Sequence, residues 1–221
     1  RLTGNTELAN GGPLTFSDYE ADGWGLKIHD SATHLTLGGN VLLQPKAESS
    51  NDKALDFDGV DDYVATATNI PELNITGDIT IQSWVNISSF PNDWARFIGK
   101  GYDSARTYGL WVYPNNGKLL WQTYCGGSVN VSSNTTLSTG AWYHIIATKS
   151  GNTATIYVNG VADASSSYPT GTACSTTDPL TIGKSNVHTR YPGLLDEVAI
   201  WNKGLSAAEI TTLYNSGGGL D

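Results

Sequence analysis

Acidic side chains stand among apolar residues at two places in this sequence. One is the turn Asp58-Gly59 with Asp61 and Asp62, and the other is Asp196-Glu197. Carboxylates are hard oxygen ligands and suit Ca²⁺, which takes about six to eight oxygens. The spacing is not that of an EF-hand loop, so the fold itself would have to assemble such a site. The alternative is that Asp58 caps its turn and that Asp196 ends a strand beside water.

Residue types used by polysaccharide lyases occur elsewhere in the chain. Tyr143-His144 and the run His188–Tyr191, which contains Arg190, supply tyrosine, histidine and arginine, but they form no known catalytic motif. A nucleophile elbow is absent from the sequence. The four histidines are scattered, and neither cysteine has a histidine at zinc-ligand spacing. We therefore expect a protein without catalytic activity and keep an enzyme as an alternative.

The aromatic composition is weighted toward rings that carry a polar group. The chain has seven tryptophans and eleven tyrosines but only four phenylalanines. Such rings suit a partly wet surface. Sugars offer C–H faces that stack on rings and hydroxyls that bind planar polar groups. This composition favours a glycan-binding surface, and the alternative for any single ring is a place in the core.

Charge and hydropathy restrict the possible partners. The formal net charge of −9 argues against nucleic acid, which requires a basic surface, and weakly against anionic polysaccharides. No apolar run reaches the length of about 18 residues that membrane insertion needs. The chain begins at Arg1 and contains no methionine, so we expect a piece of a larger secreted or cell-surface polypeptide.

Short β-branched and aromatic stretches, separated by turn residues, predict an all-β fold. Residues 1–15 are polar and Gly-rich and are predicted to be a linker or a loosely attached segment, followed by a single domain over residues 16–221. A capping box at Ser206–Glu209 predicts one short C-terminal helix. The clearest predicted strands are residues 55–57, 79–87, 108–113, 118–124, 141–149, 153–158, 180–183 and 194–201.

Cys125 and Cys174 are the only cysteines. Two cysteines without CxxC spacing do not form a metal cluster. In an extracellular β-sandwich we expect them to form one disulfide. Two free thiols are the alternative.

Four segments together resemble one known family. They are ALDFDGVDDYVA (residues 54–65), ITIQSWVNI (79–87), WYHIIATKSGNTATIYVNGVADAS (142–165) and GLLDEVAIWNKGLSAAEITTLYN (193–215). This combination is similar to the laminin G-like branch of the concanavalin A-like lectin/glucanase superfamily, and it covers the chain from about Tyr19 onward. The resemblance implies a jelly roll, a β-sandwich of two antiparallel sheets, which is a fold that serves many functions.

The resemblance also implies a calcium site. Family members often carry a structural Ca²⁺ where the early acidic turn approaches the late Asp-Glu strand. By that resemblance the ligands are Asp58 and Asp196, with Asp30 as a possible third.

The family pattern further implies which side chains face outward from one predicted hairpin. It turns Tyr108, Leu110 and Val112 inward, and period-two alternation then turns the intervening residues outward. Trp94 and Arg106 fall in the neighbouring variable loop. The predicted glycan-binding residues are Trp94, Arg106, Trp111, Tyr113, Gln122 and Tyr124.

The glucanase branch of the superfamily uses a Glu-x-Asp-x-x-Glu strand, and this chain lacks that pattern. Asp196 and Glu197 are adjacent, so they would point to opposite faces of a strand. We therefore predict a non-catalytic carbohydrate-binding or adhesion module. The alternatives are a protein-binding adhesion domain, a polysaccharide lyase or glycoside hydrolase, and a structural spacer.

Overall fold

The computed structural model of the chain describes residues 54–66, 70–102, 105–169 and 173–218. Within these ranges the chain forms twelve strands, an α-helix (α1, Ala207–Tyr214) and two 3₁₀ turns (Pro71–Leu73 and Asn215–Gly217). The strands are β1 (Leu55–Asp58), β2 (Val64–Ala65), β3 (Ile79–Ile87), β4 (Ala95–Tyr102), β5 (Ala105–Val112), β6 (Leu119–Cys125), β7 (Ser128–Ser132), β8 (Trp142–Ser150), β9 (Thr153–Val158), β10 (Val161–Ser167), β11 (Leu180–Ile182) and β12 (Pro192–Trp201).

The strands form two antiparallel sheets of six strands each. The first sheet has the order β1-β12-β3-β8-β9-β10, and the second sheet has the order β2-β11-β4-β5-β6-β7. Their inner faces pack together, with Ile81 of the first sheet and Leu110 and Trp121 of the second fully buried. The predicted sandwich with one short C-terminal helix is confirmed.

The outer face of the first sheet is partly covered by α1. Ile210 of α1 packs with Ile146 of β8 and with Leu205 in a second, smaller apolar cluster. The helix begins with the predicted capping box: Glu209 N donates to Ser206 Oγ at 3.3 Å, and Ser206 N donates to Glu209 Oε2 at 2.8 Å. These bonds satisfy amides that the first helical turn leaves free.

Two strands were not predicted from the sequence. These are β7 (SVNVS) and β10 (VADASSS), which each lie at one edge of a sheet. β10 lacks the apolar alternation that marks a half-buried strand, whereas β7 does alternate, with Val129 and Val131 buried, but over only five residues. The predicted linker over residues 1–15 and the predicted ligand Asp30 lie outside the described residues.

Candidate functional site

The β5–β6 hairpin positions the central part of the predicted glycan site. In its register Trp111 pairs with Leu120, Gly109 with Gln122, and Arg106 with Tyr124. Tyr108, Leu110 and Val112 belong to the core between the sheets. The alternate residues therefore lie on the outer face of the second sheet.

Arg106 is placed between two aromatic rings on this face. Its guanidinium carbon lies 5.4 Å from the centroid of the Trp111 ring and 5.9 Å from that of Tyr124. Arginine above aromatic faces is a favourable cation–π arrangement. The sequence placed Arg106 in a variable loop, but it is part of β5, so a strand holds its backbone.

Polar side chains continue the face across β6 and β7. Gln122 Nε2 donates to Asn130 Oδ1 at 2.9 Å, and Asn130 Nδ2 donates to Ser128 Oγ at 3.4 Å. The amide of Gln122 is thereby held in one orientation beside Tyr124. Such a row offers planar donors and acceptors at a surface.

Trp111 faces outward from the core, but it is not an open platform. Only 3% of its surface is exposed, and Arg96, Arg106 and His188 all contact its ring. A Cβ atom on the neighbouring Gly109 would come within 2.6 Å of Trp111 Nε1, so only glycine leaves room for the ring in this position. The expectation of an exposed stacking ring is corrected for Trp111, while Tyr113 and Tyr124 are only half-buried.

Arg96 is the second cation on Trp111. Its guanidinium carbon lies 5.2 Å from the ring centroids of both Trp111 and Tyr102. The side chain is fully buried, and it donates to Gly101 O at 2.7 Å, to Thr181 Oγ1 at 2.8 Å and to Lys184 O at 3.1 Å. Burial lowers the pKa of Arg96 to about 10, so the group is still charged at neutral pH.

The predicted residues Trp94 and Tyr113 form a pair at one end of the same face. Their ring centroids are 4.4 Å apart, and Tyr113 Oη lies 2.7 Å from Ser132 Oγ. Between this pair and Arg106, His188 meets the Trp111 ring edge-on at 5.6 Å. His188 Nδ1 lies 2.9 Å from Asp93 Oδ2, and this hydrogen bond lowers the pKa of Asp93.

The acidic turn after β1 holds a compact group of carboxylates. One oxygen from each of Asp58, Asp61 and Asp62 lies within 4.8 Å of those of the other two. Asp58 Oδ1 accepts from Val60 N at 2.7 Å, and Asp62 Oδ2 accepts from Asp58 N at 3.0 Å. The carboxylates thus stabilise the turn, and three hard oxygen donors at one point also fit a Ca²⁺ ion.

The structure separates the two predicted ligands Asp58 and Asp196. The strands that carry them do pair, but Asp58 lies opposite Pro192, four residues before Asp196 in β12. At about 3.3 Å per residue, the two positions are about 13 Å apart. Asp196 Oδ1 instead accepts from Glu197 N at 2.7 Å, inside the irregular part of β12.

Cys125 and Cys174 form the predicted disulfide, with Cα atoms 5.4 Å apart. Cys125 ends β6 directly after Tyr124, and Thr107 Oγ1 donates to Cys174 O at 2.7 Å. The bridge closes a separation of 49 residues. It therefore anchors the segment around residue 174 beside the Arg106 end of the outer face.

The residues considered for a lyase do not come together. His144 lies on the outer face of the first sheet, where it is 1% exposed, stacked on Tyr214 and tilted against Trp84. His188 lies beside the second sheet, against Trp111. Tyr143-His144 and the run His188–Tyr191 are thus on opposite sides of the sandwich.

Comparisons with solved structures support the fold. Domain 4 of AbnA, an extracellular arabinanase from Geobacillus stearothermophilus solved with arabinotriose, is 16% identical with a TM-score of 0.59; the match covers 79% of this chain and 81% of that one. A Trypanosoma rangeli sialidase is 18% identical with a TM-score of 0.59, and 76% of this chain matches 28% of the sialidase. The binding domain of botulinum neurotoxin DC, solved with SialylT, is 14% identical with a TM-score of 0.53 and matches over 70% of this chain and 39% of its own.

Comparison of the sequence with known families identifies the family of the chain. No curated protein matches the chain. In the part of the chain that the structure describes, no helix is long and apolar enough to cross a membrane. The model of the concanavalin A-like lectin/glucanases superfamily matches residues 58–211, which is more than half of the chain. The chain therefore belongs to the laminin G-like branch of the concanavalin A-like lectin/glucanase superfamily.

Proposed function

We propose that this domain is a non-catalytic carbohydrate-binding module of a larger extracellular protein. The glycan binds on the outer face of the second sheet. The observation that carries the proposal is the position of Arg106 between Trp111 and Tyr124, with Gln122 on the adjoining strand. This arrangement combines ring faces, a cationic donor and a planar amide on one surface.

Each part of this face has a role in holding a sugar. Tyr124, Trp94 and Tyr113 are half-buried, so each ring is fixed on one side and reachable on the other. The Gln122–Asn130–Ser128 row supplies acceptors and donors for hydroxyl groups. Trp111 is covered, and we assign it the role of a base that supports Arg106.

The ligands bound in two of the structural neighbours are consistent with this proposal. The arabinanase domain was solved with arabinotriose and the neurotoxin binding domain with SialylT. These proteins are below 25% identity, so they support the fold and leave the ligand of this chain to experiment.

We further propose that one structural calcium binds at the acidic turn. Asp58, Asp61 and Asp62 would supply three of its oxygens, and Asp196 is not included because of its distance along β12. Three carboxylates close together repel one another, and a divalent cation would offset that repulsion.

The first experiment is a glycan array, run with and without EDTA, with reducing-end release followed in parallel. Binding without product supports the carbohydrate-binding module. Product release would support the lyase or hydrolase instead. If no glycan on the array is bound and no product is released, glycan binding is refuted and a protein ligand is favoured.

Two variants locate the site. Tyr124→Ala and Gln122→Ala should each weaken binding roughly tenfold, which corresponds to about 1.4 kcal/mol. The matched control is Trp142→Ala, which removes a ring that is 41% exposed at the start of β8 in the first sheet. Equal losses in all three variants would contradict a site on the second sheet.

Calcium is tested by thermal unfolding with and without EDTA. Asp61→Asn should abolish the Ca²⁺-dependent rise in melting temperature, because it removes one carboxylate from the group. Asp56→Asn is the control, since Asp56 is exposed on β1 and lies outside the group. A melting temperature that does not respond to Ca²⁺ in the unsubstituted protein would refute the site.

A further inference from the structure

Two polar residues that the sequence did not assign to the glycan site, Asp93 and His188, lie at one end of the outer face of the second sheet. His188 Nδ1 lies 2.9 Å from Asp93 Oδ2, and the imidazole meets the ring of Trp111 edge-on, with centroids 5.6 Å apart. Asp93 directly precedes Trp94, whose ring pairs with that of Tyr113. The pair therefore adjoins both the covered tryptophan and the half-buried rings of the proposed site.

Hydrogen bonds fix the backbone around this pair. Thr189 Oγ1 donates to the carbonyl oxygens of Asp93 and Trp94 at 3.3 and 3.2 Å, and Thr189 also forms a parallel bridge with the first residue of β4. His188 N donates to Oγ of Ser185, a buried residue, at 3.2 Å. The segment between β11 and β12 is thereby tied to the start of β4, so the imidazole and the carboxylate hold their relative positions.

The hydrogen bond between the two side chains fixes which nitrogen of His188 carries the proton. The bonds from His188 and from the backbone amide of Trp94 lower the pKa of Asp93, so its carboxyl group is ionised at neutral pH. An ionised carboxylate can only accept hydrogen bonds, so Nδ1 of His188 is the donor. In the neutral imidazole Nε2 then carries a lone pair, and both residues present acceptors.

Both acceptors can be reached from solvent. The side chain of Asp93 is 45% exposed, and that of His188 is 28% exposed. Within the residues that the structure describes, Nε2 of His188 forms no hydrogen bond and is not sealed from water, in contrast to both ring nitrogens of His144. Accessible acceptors beside aromatic rings suit a sugar, whose hydroxyl groups donate hydrogen bonds while its C–H face stacks on a ring.

The other charged groups around His188 come from three elements. They are Arg96 of β4, Arg106 of β5, and Lys184 and Arg190 of the segment that carries His188. The first two lie on the Trp111 ring that His188 meets edge-on, and the other two lie against Tyr63. Histidine is the residue type among these whose charge changes between about pH 5 and 8. Acidification in this range therefore changes this part of the face through His188.

We propose that Asp93 and His188 bind the glycan by accepting hydrogen bonds from its hydroxyl groups, and that protonation of His188 weakens this binding in acid. The inference rests on the proposed carbohydrate-binding function and adds two contact residues and a pH response to it. Protonation places an N–H at Nε2, so the atom that accepted a hydroxyl proton becomes a donor. Binding is then strongest at neutral pH and falls as the pH drops through the range in which histidine gains its proton.

The first test removes the hydroxyl donors from the ligand. Dextran, arabinan, xylan, mannan and galactan are each compared with their O-methylated forms by isothermal titration calorimetry at about pH 7.5. We expect at least roughly tenfold tighter binding of one or more native polymers, and Asp93→Asn should reduce this ratio about three- to tenfold because it removes the carboxylate acceptor. Asp56→Asn makes the same charge change on β1 of the first sheet and should leave the ratio unchanged. An unchanged ratio in Asp93→Asn would overturn the inference.

The second test follows the affinity for the preferred native polymer from about pH 8 to pH 5. The unsubstituted protein should lose about three- to tenfold in affinity over this range. His188→Gln keeps an amide oxygen that can accept but does not titrate, so it should bind within about threefold of the unsubstituted protein at pH 8 and show little pH dependence. His188→Phe keeps a ring against Trp111 without either nitrogen and should bind weakly throughout.

Two results of this pH series would overturn the assignment to His188. One is pH-independent binding by the unsubstituted protein, and the other is a pH dependence that survives in His188→Gln. His144 does not interfere, because burial lowers its pKa to about 4. Thermal unfolding checks that each variant is folded at both ends of the range.

The remaining outcomes separate this inference from the proposed function. A preference for native polymers that shrinks in Asp93→Asn, together with a pH response that is absent from His188→Gln, would support the inference. Equal binding of native and O-methylated polymers, with loss in Tyr124→Ala, would overturn it and keep the carbohydrate-binding module. Absence of binding to every polymer at every pH would refute both.

Discussion

The outer faces of the two sheets carry similar aromatic side chains, but different ionisable groups pack against them. On the first sheet, Trp84, His144 and Tyr214 form an aromatic cluster with ring centroids between 5.1 and 5.9 Å apart. On the second sheet, the guanidinium carbons of Arg96 and Arg106 lie at comparable distances from the ring centroid of Trp111. Tyr214 belongs to α1, which closes the first stack, whereas the part of the chain that the structure describes places no helix over the second.

The two faces also differ in the charge of the group that each one buries, and the ordinary pKa of that group decides the difference. His144 is buried with no hydrogen-bond partner for either ring nitrogen, and burial lowers its pKa to about 4, so it is neutral at pH 7. Arg96 is equally buried but keeps its charge at that pH, because even its lowered pKa is about 10. The outer face of the first sheet thus buries a neutral group, whereas that of the second sheet holds the buried charge of Arg96 and the half-buried charge of Arg106.

The largest expected effect is on the covered face. Ile210→Ala should lower the free energy of unfolding by about 2–5 kcal/mol, because it leaves a cavity under a fully buried side chain. Thr211→Ala, at the exposed neighbouring position, should stay within about 0.5 kcal/mol. Urea denaturation measures both. Glycan affinity of the folded Ile210→Ala protein should be unchanged, and a large loss of affinity would show that the faces are not independent.

We expect acid to lower the stability of the protein through protonation of His144, which lies on the outer face of the first sheet. Its folded-state pKa is about 4 against 6.5 for an unburied histidine, so protonation favours the unfolded chain. The contribution is complete above pH 6.5 and is lost as pH falls toward 4, by roughly 3 kcal/mol. His144→Phe should remove this part of the pH dependence. Identical stability–pH curves for the two proteins between pH 7 and 4 would refute the assignment to His144.

We expect stability and glycan affinity to be sensitive to a single methyl group added beneath Trp111, on the outer face of the second sheet. Gly109→Ala places a Cβ within 2.6 Å of Trp111 Nε1, so the ring must move and Arg106 with it. We expect a loss of about 1–3 kcal/mol in stability and a marked loss of glycan affinity. Gly127→Ala is the control, since its Cβ would meet nothing within 4 Å. Unchanged affinity in Gly109→Ala would remove Trp111 from the site.

The smallest effect concerns the helix that closes the covered face. Ser206→Ala should cost about 1 kcal/mol because it removes the oxygen that accepts from Glu209 N. Ser206→Asp keeps an acceptor and should restore most of the stability. Chemical denaturation distinguishes the two, and equal stability of both variants would show that the cap is not needed.

Many of the strands and the start of the helix were predictable because they depend on residues that are close together in the sequence. Short β-branched and aromatic stretches predicted β3, β5, β6 and β8, and the Ser206–Glu209 spacing predicted the start of α1. The edge strand β10 was not predicted because its small and polar residues do not alternate, and β7 was not predicted because its alternation is only five residues long. The pairing of Cys125 with Cys174 followed from the count of cysteines and the expected compartment.

The sites were predicted less completely, because they depend on register and close packing. Alternation correctly grouped Trp111, Gln122 and Tyr124 on one face, but it could not show that Gly109 leaves room for Trp111 and that the ring becomes covered. The resemblance joined Asp58 to Asp196, whereas the β1–β12 register sets them about 13 Å apart. Local turn chemistry instead gathers Asp58 with Asp61 and Asp62.

The sequence by itself determined the fold class, the strands with a buried face, the helix cap and the disulfide, since each depends on residues close in sequence or on composition. The tertiary structure alone decided where charge collects. Arg96, Arg106, Lys184 and Arg190 are neighbours only because the second sheet places β4, β5 and the segment after β11 side by side. Net charge is a sum over the whole chain, but a ligand responds to the few charges within about a Debye length.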